Sequence, residues 1–464
     1  MKPSIPRGTR DFGPAEMQKR LYVLNCIKRN FELFGFQPIE TPAMENLNTL
    51  TNKYGEEGDQ LVFKILNSRI HENKNKDLLR KEFELSLESS RNSEELTERA
   101  LRYDLTVPFA RFVATNKNEL VFPFKRYQIQ AVWRADRPQK GRYREFLQCD
   151  ADVIGSDSLV NELDLISLID KTFFELNLPV VIKFNNRKIL TAFAEVINEP
   201  TKIVEITIAL DKLDKIGKEA VNQEMKDKGI SEEAILKLQP LLNFTGSNSE
   251  KINILKSIVG DNLVGKKGIE EIQFLLDNEK TVNAKLELDI TLARGLNYYT
   301  GTIFEVKTNS DTFKLSILGG GRYDDLTSGF GLSNISGVGI SFGFDRIYDA
   351  MEELNLFSEI ASSSTSKVLF THFDEATQLF CLSLAAELRK NNLACEVYPD
   401  LTKKLSKQFD YANKKNIPFV CTIGSNELTS GVFAIKNMLN GEQHALKLND
   451  MIHLIKKQLN DTND

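Results

Sequence analysis

Residues 122–155 read FPFKRYQIQAVWRADRPQKGRYREFLQCDADVIG, and this stretch decides the fold. Polar and apolar side chains alternate through KRYQIQAVWR and again through EFLQCDADVIG, the period of two that strands require. Between the two runs, ADRPQKGRY carries Pro138 and Gly141 as turn residues. The pattern predicts strand, charged loop, strand. Asp150 and Asp152 are two apart, so they share one face of the second strand, and Gln148 lies on that face too. Three polar groups in a row there form either a solvent-facing strip or the floor of a polar pocket. The pattern by itself favours solvent.

Towards the N-terminus, Met17, Leu21, Leu24, Ile27, Phe31 and Phe34 have helical spacing within residues 14–35, and Gly35 is a plausible stop. FQPIETPAMEN follows as an extended segment, because each proline biases its predecessor away from helix. Residues 71–100 hold 14 charged side chains in 30, which predicts a solvated helical flap or mobile insert and not core. Beyond the opening stretch, a helix is expected over 156–178 and a strand at VVIKFNN, with Lys/Glu-rich helices through 187–280. Strands and glycine-rich turns return at 285–347, and SEIASSSTSK at 358–367 has linker composition. The remainder alternates VLFTHF, ACEVYP and FVCTIG with helices, the pattern of a small α/β domain with a largely parallel sheet. The predicted organisation is a core from 1–184 and 281–357, a helical insertion at 185–280, a linker at 358–366 and an α/β domain at 367–464.

At 464 residues the chain exceeds one ordinary core. Its 41% hydrophobic and 27% charged content is globular, and the net charge of −5 provides no global basic field, although a local basic groove is enough to bind RNA. The cysteines at 26, 149, 381, 395 and 421 form no CxxC pair, which predicts a reducing compartment and no structural zinc. No run of 18 apolar residues exists, and MKPSIPRGTRDFGP has no apolar signal core, so no membrane span and a cytoplasmic location are expected. The four histidines are His71, His372, His444 and His453. Chemistry seated between residues 72 and 371 must therefore run on arginines, carboxylates, tyrosines and backbone groups.

Two glycine patterns fail on inspection. GDNLVGKK at 260–267 nearly matches a phosphate-binding loop, but Lys267 stands where a Ser or Thr hydroxyl is needed, and no strand precedes it. GVGISFGFDR at 337–346 spaces its glycines GxGxxxG, not GxGxxG, which suits small residues packing on a sheet. What remains is Arg134 in VWRADRP, Arg294 in LARGLNYY, Arg346 in GFDRI, and the carboxylates Asp104, Asp150 and Asp152. Permanently charged guanidinium groups bind phosphate and carboxylate in bidentate fashion. A site rich in arginine and free of histidine suits attack on a nucleotide α-phosphate, where positioning and charge neutralisation dominate, with magnesium sharing the charge.

The chain resembles the class II aminoacyl-tRNA synthetases, and within them the histidyl-tRNA synthetase family. FELFGFQPIETPAMEN is similar to motif 1, residues 124–155 to motif 2 and GVGISFGFDRI to motif 3. LARGLNYYTGTIFE and GGGRYDDL are similar to segments of the histidine-specific branch. The resemblance implies an α+β catalytic core, an antiparallel sheet flanked by helices, with a helical insertion and a C-terminal α/β domain. It implies ATP-dependent activation of histidine and transfer to tRNA(His) by a homodimer, with Mg2+ accompanying ATP and no resident metal. Arg134 would bind the ATP α-phosphate and the histidine carboxylate, and Arg346 the γ-phosphate. Asp104, Thr106 and Gln148 would hold the α-ammonium, while Asp152, Tyr298 and Tyr299 would line the imidazole pocket. Arg294 would stabilise charge at the α-phosphate. In a strand, one of two adjacent tyrosines should point the other way. The helical insertion would meet the acceptor stem and the C-terminal domain the anticodon. There Lys403, Lys404, Lys407, Lys414 and Lys415 form either a solvated face or phosphate contacts. Two positions depart from the family pattern: Asp136 replaces the usual Glu, and Asn297 stands where many relatives have Asp. The charged segment 71–100 is longer than in the simplest members.

Overall fold

A computed structural model describes residues 2–51, 55–88, 92–242, 244, 246–293, 298–357, 364–402 and 404–460. Arg294, Asn297 and Lys403 lie outside the described residues. Two compact units divide at Phe357/Ser358.

In the first unit the strands are β1 (Gln37–Pro38), β2 (Met44–Asn46), β3 (Lys64–Ile65), β4 (Arg99–Leu101), β5 (Phe124–Trp133), β6 (Glu145–Ile154), β7 (Val180–Asn186), β8 (Lys285–Leu288), β9 (Thr302–Thr308), β10 (Ser316–Tyr323) and β11 (Gly337–Gly343). Eight of them form one sheet in the order β1-β5-β6-β11-β10-β9-β7-β8. All its ladders are antiparallel except the edge pairs β1–β5 and β7–β8. Strands β2, β4 and β3 make a small second sheet. The expected strand, loop, strand at 122–155 is the β5–β6 hairpin, ten residues a side.

Alternation along β6 divides the sheet into two environments. Cys149, Ala151 and Val153 are fully buried on the apolar face. The helix Pro14–Leu33 packs there through Phe31, whose ring lies 5.5 Å from Tyr127 and 5.6 Å from Phe342. Pro14 begins that helix with a preset φ, the Glu16 carboxylate accepts the Gly13 N–H at 2.9 Å, and Gly35 with φ +79 ends it. The helix Val160–Glu175 covers the same face, with Phe173 5.6 Å from Phe342. Gln148, Asp150 and Asp152 occupy the opposite face of β6.

Among the described residues, six α-helices and a 3-10 turn lie between β7 and β8, from Arg187–Val196 to Leu263–Asn278. Glu271 ties the last of them to the sheet end, accepting from Asn186 at 2.7 Å and Lys188 at 2.9 Å. The near-match GDNLVGKK is a helix start: the Asn262 side chain accepts the Gly265 N–H at 2.9 Å. Gly265 is small for packing, since a Cβ there would sit 2.4 Å from Val259 and 2.8 Å from Ala192. Within the 71–100 segment the helix Lys76–Glu88 is mostly exposed, while Leu96 and Ala100 are buried beside β4.

The second unit holds β12 (Val368–His372), β13 (Cys395–Val397), β14 (Phe419–Ile423), β15 (Val432–Asn437) and β16 (Gln443–Lys447), in the order β13-β12-β14-β15-β16. The largely parallel sheet expected from sequence is a mixed one. The three strands recognised there are parallel, but β14–β15 and β15–β16 are antiparallel. The exposed alternation of β16 gave little apolar signal. Lys404, Lys407 and Lys414 are exposed, whereas Lys415 is engaged with Glu396 at 2.7 Å. His372 is fully buried, its Nε2 2.7 Å from the Tyr398 carbonyl.

Candidate active site

The polar face of β6 is a floor, not a solvent-facing row. Asp150 is 2% exposed and Asp152 3%. The register explains this. Asp152 stands between Arg126 of β5 and Gly339 of β11, Asp150 between Gln128 and Ser341, and Gln148 between Gln130 and Gly343. Side chains of one parity on three adjacent strands converge on one patch. Over it opens a cleft of about 580 Å³.

Asp104, Thr106, Arg134, Gln148, Asp152, Tyr298, Tyr299 and Arg346 all line this cleft. They come from sequence positions more than 240 residues apart, brought together by strand order. Tyr298 and Tyr299 both line it because they precede β9 and are not in a strand, so alternation does not separate them. Their rings meet edge to face at 4.9 Å.

Charge is divided within the cleft. At one end lie the three buried carboxylates. Asp104 accepts the Val107 N–H at 3.1 Å at the start of the helix Thr106–Asn116. Asp152 Oδ1 accepts the Tyr323 hydroxyl at 2.6 Å, and its Oδ2 is 2.8 Å from Arg126 Nη2. Burial pushes the Asp152 carboxyl up, and the Arg126 charge and Tyr323 hydrogen bond oppose it. Burial likewise pushes Asp150 up to about 7, against the pull of Arg126. The Tyr299 hydroxyl is raised well above its usual value by burial and by the negative field of Asp152. Gln148 Nε2 donates to Ser341 Oγ at 2.9 Å.

At the other end lie arginines. Arg134 stacks 4.2 Å over the Tyr103 ring and 5.2 Å from Phe146, with Nε donating to the Tyr103 carbonyl at 3.1 Å. Arg346 Nε donates to the Gly141 carbonyl at 2.9 Å and Nη1 to the Ser316 carbonyl at 2.9 Å. These contacts fix both guanidinium groups before any anion arrives. Gly141 has φ +71, and a Cβ there would meet the Leu315 side chain at 2.4 Å, so the loop tip favours glycine. Asp345 also lines the cleft but is turned to structural work. It accepts the Leu147 N–H at 2.9 Å and pairs with Arg20 at 2.7 Å and with Arg10.

Three lining or flooring residues escaped the sequence argument. Arg142 sits in an aperiodic loop, so no pattern pointed to it. Tyr323 lies in the quoted GGGRYDDL, and its hydroxyl is directed at Asp152 only by β10 crossing to β11. Arg126 reads as one more polar residue of an alternating strand until register sets it against Asp152.

Residues 92–347 match the family model described as Histidyl-tRNA synthetase, and residues 365–458 one described as Anticodon binding domain. The chain is 54% identical over 460 residues to the histidine–tRNA ligase of Christiangramia forsetii, covering 98% of this chain and 99% of that one. It is 52% identical over 458 residues to the histidine–tRNA ligase of Bacteroides fragilis strain YCH46, again covering 98% and 99%. The crystal structure of histidyl-tRNA synthetase from Nostoc sp. PCC 7120 matches with a TM-score of 0.81 at 29% identity, covering 99% of this chain and all 100% of that chain.

Proposed function

The chain belongs to the histidyl-tRNA synthetase family and charges tRNA with histidine, and on that premise we propose a role for each end of the cleft. The carboxylate end takes the amino acid: Asp104, Thr106 and Gln148 hold the α-ammonium, and Asp152, Tyr298 and Tyr299 surround the imidazole. An imidazole needs one acceptor and one donor around it; Asp152 accepts and a tyrosine hydroxyl donates. The arginine end takes ATP. Arg134 binds the α-phosphate and the substrate carboxylate, and Arg346 and Arg142 meet the outer phosphates. Magnesium arrives with ATP as part of that substrate.

The substrate carboxylate attacks the α-phosphorus and pyrophosphate leaves. No base is required, because the nucleophile is already ionised at neutral pH. The guanidinium groups of Arg134 and Arg294 stabilise the charge that builds on the α-phosphate oxygens. In the second step a 3′-terminal ribose hydroxyl of tRNA attacks the adenylate carbonyl and AMP leaves. The observation that supports this assignment is the meeting, in one cleft, of buried carboxylates with arginines held by backbone carbonyls.

The helices within 185–280 face the acceptor stem, and the second unit reads the anticodon of tRNA(His), with exposed Lys404, Lys407 and Lys414 available to phosphates. The motif 1 segment presents Leu33 at 64% and Met44 at 51% exposure, apolar surface suited to a homodimer. A cytoplasmic location accords with this role. Pyrophosphate exchange with each of the twenty amino acids tests the proposal. Exchange with histidine alone is expected. Exchange with none would turn the assignment towards a histidine-sensing regulatory subunit, and a monomeric mass at micromolar concentration would remove the dimer.

A further inference from the structure

Among the described residues Arg126 is the largest side chain with no exposed surface. It faces Asp152 across the β5–β6 ladder, its Nη2 2.8 Å from Asp152 Oδ2. Its guanidinium lies 4.2 Å over the Phe109 ring. Nε, Nη1 and Nη2 make no hydrogen bond. Taking a guanidinium out of water costs several kcal/mol, and one ion pair returns only part of it. A fold that needed only to fill this space would do so more stably with leucine or methionine.

The electrostatics of the floor supply a reason for the charge. Asp104, Asp150 and Asp152 are each no more than 3% exposed, burial pushes the Asp150 and Asp152 carboxyls up, and the neighbouring carboxylates push Asp150 further. Arg126 is the cation set among them. Among the described residues, the groups facing Asp152 are Arg126 from β5, Tyr323 from β10, Asp150 from its own strand, and Tyr299; Asp104, ahead of the helix Thr106–Asn116, acts on Asp150 and Tyr299, and Gly339 of β11 brings no charge. One Asp152 oxygen accepts the Tyr323 hydroxyl and the other faces the guanidinium, so a carboxyl proton on either would point at a donor.

We propose that Arg126 is a positioning residue for amino-acid recognition, the buried countercharge that keeps Asp152 ionised and aimed into the cleft as the acceptor for the substrate ring N–H. The inference rests on the assignment of this cleft to histidine. It makes the charge balance of the floor, and not its shape alone, a determinant of specificity. The ionised carboxylate is the stronger acceptor, so histidine affinity is full above its folded pKa and weakens as pH falls through it. Removing Arg126 raises that pKa.

The test is histidine-dependent pyrophosphate exchange by the full-length protein from pH 5.5 to 9, for wild type, Arg126→Met, Asp150→Asn and the double variant. Free histidine titrates identically in all four, so only differences between proteins are read. Arg126→Met should raise the histidine KM at pH 7 about tenfold or more, the scale of one charge-assisted hydrogen bond. Its ATP KM should stay within about twofold, and the acid limb of kcat/KM for histidine should move to higher pH. Asp150→Asn, which retains Arg126 and replaces a carboxyl that burial keeps largely protonated below about pH 7, should leave the limb near its wild-type position, and the double variant should follow Arg126→Met. Arg126→Lys keeps the charge and should recover most of the loss. A limb that stays in place in folded Arg126→Met overturns the proposal; should Arg126→Met fail to fold, Arg126→Gln, which also removes the charge, decides in its place. Absence of histidine-dependent exchange in wild type overturns the histidine assignment instead.

Discussion

Replacing Gly339 with alanine strikes the pocket floor from behind. An alanine Cβ there would stand 1.9 Å from Asp152 Oδ1, 2.4 Å from its Cγ and 3.1 Å from the Ala151 carbonyl. Strand β11 is held on both sides, by β6 and β10, so the backbone cannot give way. The carboxylate must retreat instead, by about 1.3 Å to reach an ordinary contact near 3.2 Å. That movement breaks the 2.6 Å hydrogen bond from Tyr323 and turns Asp152 away from Arg126. A hydrogen bond to a charged group contributes about 1.5–3 kcal/mol, and overpacking adds a stability cost of about 1–3 kcal/mol. The histidine KM in pyrophosphate exchange should rise about tenfold to a hundredfold, with the ATP KM nearly unchanged and the melting temperature lowered by a few degrees. Gly13→Ala is the control, because Gly13 is not among the residues lining the cleft and a Cβ there meets only the Glu16 carboxylate at 3.7 Å. A folded Gly339→Ala protein whose histidine KM stays within about threefold of wild type would refute Asp152 as the imidazole acceptor.

Arg294→Ala should keep the fold and lose roughly 10²–10³ in adenylation rate, the scale of one charge-stabilising group; near-wild-type exchange would remove Arg294 from the chemistry. Arg322 and Glu162 form a buried fork, with both N–O distances 2.6 Å, so Glu162→Ala should cost about 3–5 kcal/mol by denaturant titration. Adding Arg322→Leu should recover part of that loss, and a neutral single variant would show the pair to be dispensable. Burial raises the Glu175 carboxyl, but Lys171, Arg29 and Asn30 outweigh it and hold it down to about 2. The unfolded chain takes that proton first, near pH 4.3, so the contribution is full above about pH 5 and is lost as pH falls towards 2. Glu175→Gln should flatten the decline in urea midpoint between pH 5 and 3, and an unchanged slope would contradict it.

Much of this protein was legible without coordinates. Alternation in 122–155 specified the β5–β6 hairpin, because period two admits no helix, and Pro138 with Gly141 located its turn. The gap in histidine from 72 to 371 limited the chemistry before any site was drawn. The near-match at 260–267 was set aside on Lys267 and the missing strand, the one at 337–346 on spacing, and Gly265, Gly337 and Gly339 make room for packing. The strand pair β15–β16 was missed because the side chains of β16 are mostly exposed and carry little apolar pattern. Arg142 was missed because loops have no period.

From sequence alone came the class of the fold, the family and the residue types available to the site. These are local properties, set by periodicity, turn chemistry and motif order. Whether Gln148, Asp150 and Asp152 faced water or a ligand was not among them. Both outcomes satisfy the same alternation, and a strand's pattern says that two faces differ without saying what covers them. Strand order and register decided it. They set Arg126 and Gly339 beside Asp152, brought Tyr323 to it from β10, and closed the patch with the helix Thr106–Asn116. Those contacts join residues up to 187 positions apart, and only the paired sheet brings them within a few ångströms.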